Sequence, residues 1–170
     1  PRQITSSDHN HGVPLWSKNG DALYFSANLH EDNEYVPLNS EIYRIDLKDL
    51  RIDTLTHRFG PDANPQISPN GEKIAFLGFD DTFQGYQITN IYVMDTNGDN
   101  VQNISDKFDR DAQYIQWDEK GNGLYFQYDD LGNTKIAYMD LSGNIKDLTS
   151  NVGGLSLGRP YTDGSFTVNP

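Results

Sequence analysis

The stretch Ile67-Ser68-Pro69-Asn70-Gly71-Glu72-Lys73-Ile74-Ala75-Phe76 is followed after a gap by Asn90-Ile91-Tyr92-Val93-Met94-Asp95 and then by Gln102-Asn103-Ile104-Ser105. It decides the fold because the chain carries its pattern three times. The first copy is Trp16-Ser17-Lys18-Asn19-Gly20-Asp21-Ala22-Leu23-Tyr24-Phe25, then Glu41-Ile42-Tyr43-Arg44-Ile45-Asp46, then Asp53-Thr54-Leu55-Thr56. The third is Trp117-Asp118-Glu119-Lys120-Gly121-Asn122-Gly123-Leu124-Tyr125-Phe126, then Lys135-Ile136-Ala137-Tyr138-Met139-Asp140, then Lys146-Asp147-Leu148-Thr149. At the ends, Arg2-Gln3-Ile4-Thr5 matches the close of a copy, and residues 160–168 match an opening.

The spacings show that the likeness is more than composition. From the apolar residue that closes a copy to the next turn glycine the steps are 16 (Ile4 to Gly20), 16 (Leu55 to Gly71), 17 (Ile104 to Gly121) and 16 (Leu148 to Gly164). From the mid-repeat Asp to the closing Leu or Ile they are 9, 9 and 8. Only the segment from the Phe to the following Ile varies, at 17, 15 and 10 residues.

Each copy reads as four short strands. The first ends in a turn whose Gly can adopt positive φ at little steric cost. The second alternates, so that Leu23 and Phe25, Ile74 and Phe76, and Leu124 and Phe126 each share a face. The third stops at Asp46, Asp95 or Asp140 before a polar turn, and the fourth closes in Leu/Ile-Thr/Ser. Four antiparallel strands in about 45 to 50 residues make a propeller blade. The fold class is therefore all-β. Residues 1–8 read as the end of a preceding blade, 9–57, 58–106 and 107–150 as blades, and 151–170 as the start of the next. Propellers close with about 4 to 8 blades, so these residues read as an incomplete arc of a larger ring. A closed four-blade ring would have to build its last blade from residues 1–8 and 159–170, which are too few unless a strand is skipped.

Composition agrees. The 170 residues include 25 acids and 13 bases, for a net charge of −12, and the pI is about 4.5. Phosphate binding needs a surplus of Lys and Arg, so nucleic acid is not an expected partner. Asp outnumbers Glu by 20 to 5, and Asp, Asn and Gly make up 51 residues, whereas Glu and Ala together supply 11. That balance favours turns over helix interiors and excludes an all-helical protein. The 20 aromatic residues argue for a folded core. There is no cysteine, which removes disulfides and thiol chemistry. No apolar run is long enough to span a membrane. Pro1 stands where an initiator Met would be expected and no signal peptide is visible, so the chain reads as a mature start or a piece of something longer.

The string Asn64 to Phe76 with Ile91 to Asp95 resembles the propeller repeat shared by TolB-like proteins and prolyl-oligopeptidase-family serine peptidases. Further residues narrow the resemblance: Phe108-Asp109-Arg110, Trp117, Gly121, Leu124 to Asp130, Gly132 to Lys135, and Gly153 to Tyr161. These are similar to the amino-terminal propeller of the acylaminoacyl-peptidase and dipeptidyl-aminopeptidase branch, and the likeness covers nearly the whole chain. It implies a non-catalytic propeller over an α/β-hydrolase domain with a Ser-His-Asp triad, excluding folded proteins and admitting short peptides. No hydrolase domain lies within these residues, so activity is not expected of this chain alone. A stand-alone TolB-like propeller acting as a protein-protein interaction module is the alternative. A carbohydrate-processing propeller is a third reading, and it would need convergent carboxylates along the channel. The resemblance spans cytosolic and exported enzymes and assigns no compartment.

Several motifs invite chemistry. Gly154-Leu155-Ser156-Leu157-Gly158 fits G-x-S-x-G, but a nucleophile elbow needs a helix after the Ser, and Arg159-Pro160 stops one. It reads as an interblade loop. Asp95, Asn97, Asp99 and Asp106 mimic calcium-loop positions, yet Asn100 stands where the turn glycine belongs and an Asp where the bidentate Glu belongs. It reads as an ordinary inter-strand turn. Asp8, His9 and His11 lack a third zinc ligand at a fixed offset and read as a connector equivalent to 62–65. Glu31, Asp32 and Glu34, Asp80 and Asp81, and Asp129 and Asp130 gather at the variable loop between second and third strands. They read individually as solvated turns and collectively as an acidic face for cationic peptide groups or a partner domain. Trp16 and Trp117, at matching positions with Ile67 between, read as blade-to-blade packing of about 150 to 250 Å² each. No catalytic, cofactor-binding or metal-ligating residue is assigned.

Overall fold

The computed structural model describes residues 3–6, 8–153 and 166–168, and contains no helix among them. Twelve strands form three sheets. The first sheet is β1 (Leu15–Trp16), β2 (Ala22–Ala27), β3 (Glu41–Asp46) and β4 (Ile52–Thr54). The second is β5 (Asp62–Ile67), β6 (Lys73–Gly78), β7 (Asn90–Asp95) and β8 (Gln102–Asn103). The third is β9 (Gln113–Trp117), β10 (Gly123–Asp130), β11 (Asn133–Asp140) and β12 (Ile145–Asp147). Within each sheet, neighbours in sequence are neighbours in space and antiparallel. These are the blades expected from the repeats.

The alternation in the second strand places the cores. Ile74 and Phe76 of β6, with Tyr92 and Met94 of β7, turn back onto the first blade and pack on Tyr24, Ile42 and Leu55. Leu124 and Phe126 of β10 do the same against the second blade, meeting Ala75, Leu77, Ile91, Val93 and Ile104. In the first blade the corresponding residues, Leu23, Phe25, Tyr43 and Ile45, pack with Ile4, Leu29, Leu47 and Leu50. Cross-strand registry adds an aromatic pair to two blades: Phe25 faces Tyr43 with ring centroids 5.6 Å apart, and Phe76 faces Tyr92 at 5.3 Å. Such pairs stabilise a sheet by about 0.2 to 1 kcal/mol.

One polar device recurs in all three blades. The hydroxyl of the closing Thr or Ser accepts the backbone N–H of the repeat's Ile in the third strand. The distances are 2.9 Å for Thr56 and Ile42, 2.8 Å for Ser105 and Ile91, and 2.9 Å for Thr149 and Ile136. Each bond satisfies a main-chain donor where the short fourth strand has stopped.

Two expectations need correction. Trp117 is buried, at 9% exposure, whereas Trp16 is 64% exposed. The matching position is covered in the third blade because the second blade lies against it; nothing described lies against Trp16 in that way. Residues 62–65 are not connector but the start of β5.

Candidate functional site

Alternating strand direction sends the loops β2–β3, β6–β7 and β10–β11 and the blade-to-blade connectors to one face, and the tight Gly-containing turns to the other. The innermost strands line the concave side. β5 and β9 each carry a bulge at the same repeat position, marked by a register shift and a left-handed residue: Asn64 at φ 52° and Tyr114 at φ 49°. A bulge re-aims a side chain at the edge of a sheet. Here Asn64 and Tyr114 line a cleft of about 850 Å³ between the second and third blades, together with Gln66, Gln113, Gln116 and Trp117. None of the fifteen lining residues is acidic or basic, in a chain that holds 25 acids. The convergent carboxylates that a carbohydrate-processing channel would need are absent from this wall among the described residues.

Above the seam between the first two blades lies a buried polar cluster. Arg58, on the connector, is paired with the fully buried Asp62 and with Asp80 at 2.8 Å, and its guanidinium stacks 3.8 Å over the Tyr92 ring. Gly78 leaves the room: a Cβ there would lie 2.5 Å from Asp62 Oδ1 and 2.7 Å from Arg58 Nη2. Glu41 is 1% exposed, accepts a 2.5 Å bond from the Thr56 hydroxyl and lies 3.8 Å from His30 Nε2. Burial pushes its carboxyl up to about 7, the Thr56 bond opposes this, and neighbouring Asp62 adds to it. Burial also raises Asp62 above the ordinary carboxylate range, against the pull of Arg58. This cluster locks the connector to both blades. Its one signal in the sequence is that Glu41 precedes Ile42 as Asn90 precedes Ile91, each an acceptor beside a closing hydroxyl.

The other candidates fall as follows. Asp95 is bonded by Asn100 of the β7–β8 turn at 2.6 Å and by Lys73 of β6 at 3.0 Å. The His11 ring lies 5.2 Å from that of Phe25, and Ala27 pairs with the His11 backbone. His9 and His11 share a cleft with Glu34, but no three His, Asp or Glu among the described residues are grouped as metal ligands would be. Asp130 is engaged by Lys135 at 2.7 Å and Arg110 at 3.4 Å, and Asp129 by the Thr134 hydroxyl at 2.8 Å. Among the described residues, Glu31, Asp32 and Glu34 enter no ion pair. The string Gly154 to Gly158 lies outside the described residues.

Three four-stranded blades with a concave inner wall define a β-propeller, present here as an arc. No family model matches the chain. Dipeptidyl-peptidase 5 of Porphyromonas gingivalis is 24% identical over 112 residues, which are 65% of this chain and 16% of that protein. TolB from Acinetobacter baumannii superposes with a TM-score of 0.65 at 24% identity over 86% of this chain and 34% of its own. Puromycin hydrolase superposes with a TM-score of 0.67 at 12% identity over 90% of this chain and 24% of its own. The chain thus spans 16%, 34% and 24% of the length of these three proteins. The resemblance to TolB-like and peptidase propellers holds at the level of fold. No helix among the described residues is long and apolar enough to cross a membrane.

Proposed function

We propose that the chain is the non-catalytic propeller segment of a serine peptidase, and that its concave wall restricts which peptides reach an α/β-hydrolase domain outside these residues. The observation that carries this reading is the uncharged wall between β5 and β9. A peptide sliding past Asn64, Gln66 and Gln113 meets neutral hydrogen-bonding groups and no fixed charge that would trap it, whereas the Gln116 amide is spent on the backbone of Phe166 and Val168. Tyr114, 59% exposed on its bulge, narrows the passage. The match to a dipeptidyl-peptidase supports the same class of substrate. In this reading the triad belongs to the other domain, and Ser156 is not its nucleophile.

Two assays test the assignment of chemistry. The pure 170-residue chain is expected to hydrolyse neither dipeptidyl nor longer peptide substrates, and robust turnover by it would refute the reading. In the intact protein, Ser156→Ala is expected to leave turnover unchanged. Loss of hydrolysis without unfolding would place the nucleophile in this chain.

A further inference from the structure

On the connector face, three loops from two blades are joined into one platform that the channel reading does not use. The β2–β3 loop is tied to the connector by Gly60 N donating to Asn39 Oδ1 at 2.9 Å, and the connector to the β6–β7 loop by Asp81 N donating to the Phe59 carbonyl at 2.8 Å. Gly60 sits at φ 140°, where a Cβ would lie 2.1 Å from the Phe79 carbonyl oxygen, so the junction admits no side chain. This platform presents Tyr35, Leu38, Phe59 and Phe83 at 88%, 55%, 44% and 81% exposure around a cleft of about 230 Å³. The Phe59 and Phe83 rings lie 5.5 Å apart.

The exposure has a local cause. In the next blade the residue matching Phe59 is Phe108, which packs edge-on to Phe126 and Tyr128 at 5.3 and 5.1 Å. Where the third blade has Tyr128 the second has Gly78, and the Arg58–Asp62 pair fills the space above it. Phe59 is thereby turned outward to meet Phe83. An exposed apolar patch of this kind marks an interaction site.

Charge selects the occupant. Asp81 lines the cleft and Asp80 precedes it. Glu31, Asp32 and Glu34 belong to the same β2–β3 loop as Tyr35 and Leu38, with Glu34 also lining the cleft of His9 and His11. Arg58, the cation next to Phe59, is already held by Asp62 and Asp80. We propose that this platform docks a basic polypeptide segment that carries an apolar side chain. The apolar group enters the cleft between Phe59 and Leu38, and Lys or Arg side chains lie against the exposed rings and the flanking carboxylates. This site is separate from the neutral inner wall, and its occupant need not be a substrate.

The test uses the full chain and a fluorescein-labelled peptide Lys-Phe-Lys-Gly-Lys-Phe-Lys, with Glu-Phe-Glu-Gly-Glu-Phe-Glu as control, followed by fluorescence anisotropy. Binding of the basic peptide alone is expected, weakened about tenfold or more by Tyr35→Ser with Phe83→Ser and by Glu31→Gln with Asp32→Asn and Glu34→Gln. Leu131→Ser, which alters a 91% exposed leucine at the β10–β11 turn, is expected to bind as the parent does. Because the substituted side chains are exposed, unchanged melting curves will show that the variants fold. Equal binding of both peptides, no binding, or undiminished binding by the Tyr35/Phe83 variant would overturn the proposal. So would a concentration-dependent dimer abolished by the same variant without peptide binding, which would assign the platform to a second copy of the chain.

Discussion

The indole Nε1 of Trp117 donates a 2.9 Å hydrogen bond to the backbone carbonyl of Gln66, so the innermost strand of the third blade is tied to that of the second by a side chain that also fills their shared core. Removing the bond while keeping an aromatic ring, as in Trp117→Phe, should cost about 1 kcal/mol. Truncation to Ala should cost about 3 to 5 kcal/mol. Urea unfolding of the chain measures both. Trp16→Ala, at the matching but exposed position, should change stability by less than about 0.5 kcal/mol. In an intact propeller, where a preceding blade covers Trp16, the two truncations should become comparable.

The closing hydroxyls give a graded series. Thr56 and Ser105 are buried, so Thr56→Val and Ser105→Ala leave the Ile42 and Ile91 amides without acceptors in a dry interior, and each should lower stability by about 1 to 3 kcal/mol. The Ile136 amide bonded by Thr149 is only partly buried. Water can replace that hydroxyl, and Thr149→Val should cost less than either. Equal losses at all three positions would contradict the role given to burial.

Glu41 makes stability depend on pH. Its carboxyl lies near 7 in the folded chain against an ordinary 4.5, so between those values the folded state holds a proton that the unfolded state has released. The contribution is complete below the ordinary value and is lost as pH rises through about 7, with a slope approaching about 1.4 kcal/mol per pH unit inside the window. Unfolding midpoints of the parent and Glu41→Gln should therefore diverge from pH 5 to pH 8 in favour of the variant. Asp46, Asp95, Asp130 and Asp140 are held below the ordinary range, Asp46 and Asp140 by bonds to turn backbone and side chains, Asp95 by Asn100 and Lys73, and Asp130 chiefly by Lys135. Their stabilisation has the opposite sign and is lost only in acid.

Gly60 and Gly20 separate crowding from backbone strain. Both have positive φ, but an added Cβ at Gly20 meets nothing within 4 Å, whereas at Gly60 it meets main chain. Gly20→Ala should cost about 1 to 2 kcal/mol for the left-handed conformation alone, and Gly60→Ala substantially more, with loss of the bonds that join the three loops. Melting temperature and hydrogen exchange at Asp81 N and Gly60 N would report the two effects.

What the repeats could reveal was decided by local chemistry. Gly20, Gly71 and Gly121 mark turns because only glycine adopts those φ values freely, and the Leu23/Phe25 alternation assigns a core face because side chains on a strand alternate. Trp16 and Trp117 occupy the same repeat position and differ in burial, since burial depends on whether a neighbouring blade is present. Phe59 and Phe108 likewise match in sequence and differ in direction, because Gly78 and Tyr128, which lie 19 and 20 residues beyond them, make different space. The bulge at Asn64 has a weak local signal, as Asn tolerates left-handed φ. At Tyr114 that signal is missing, and only the pairing with β10 reveals it.

The central claim is that a neutral inner wall, narrowed at Tyr114, selects peptides by size for a catalytic domain beyond this chain. The most direct measurement is kcat/KM for a dipeptidyl substrate and for a substrate several residues longer, in the intact protein carrying Tyr114→Ala. The ratio of long to short should rise, with the short substrate little changed. An unchanged ratio, with the variant folded and active, would contradict the claim.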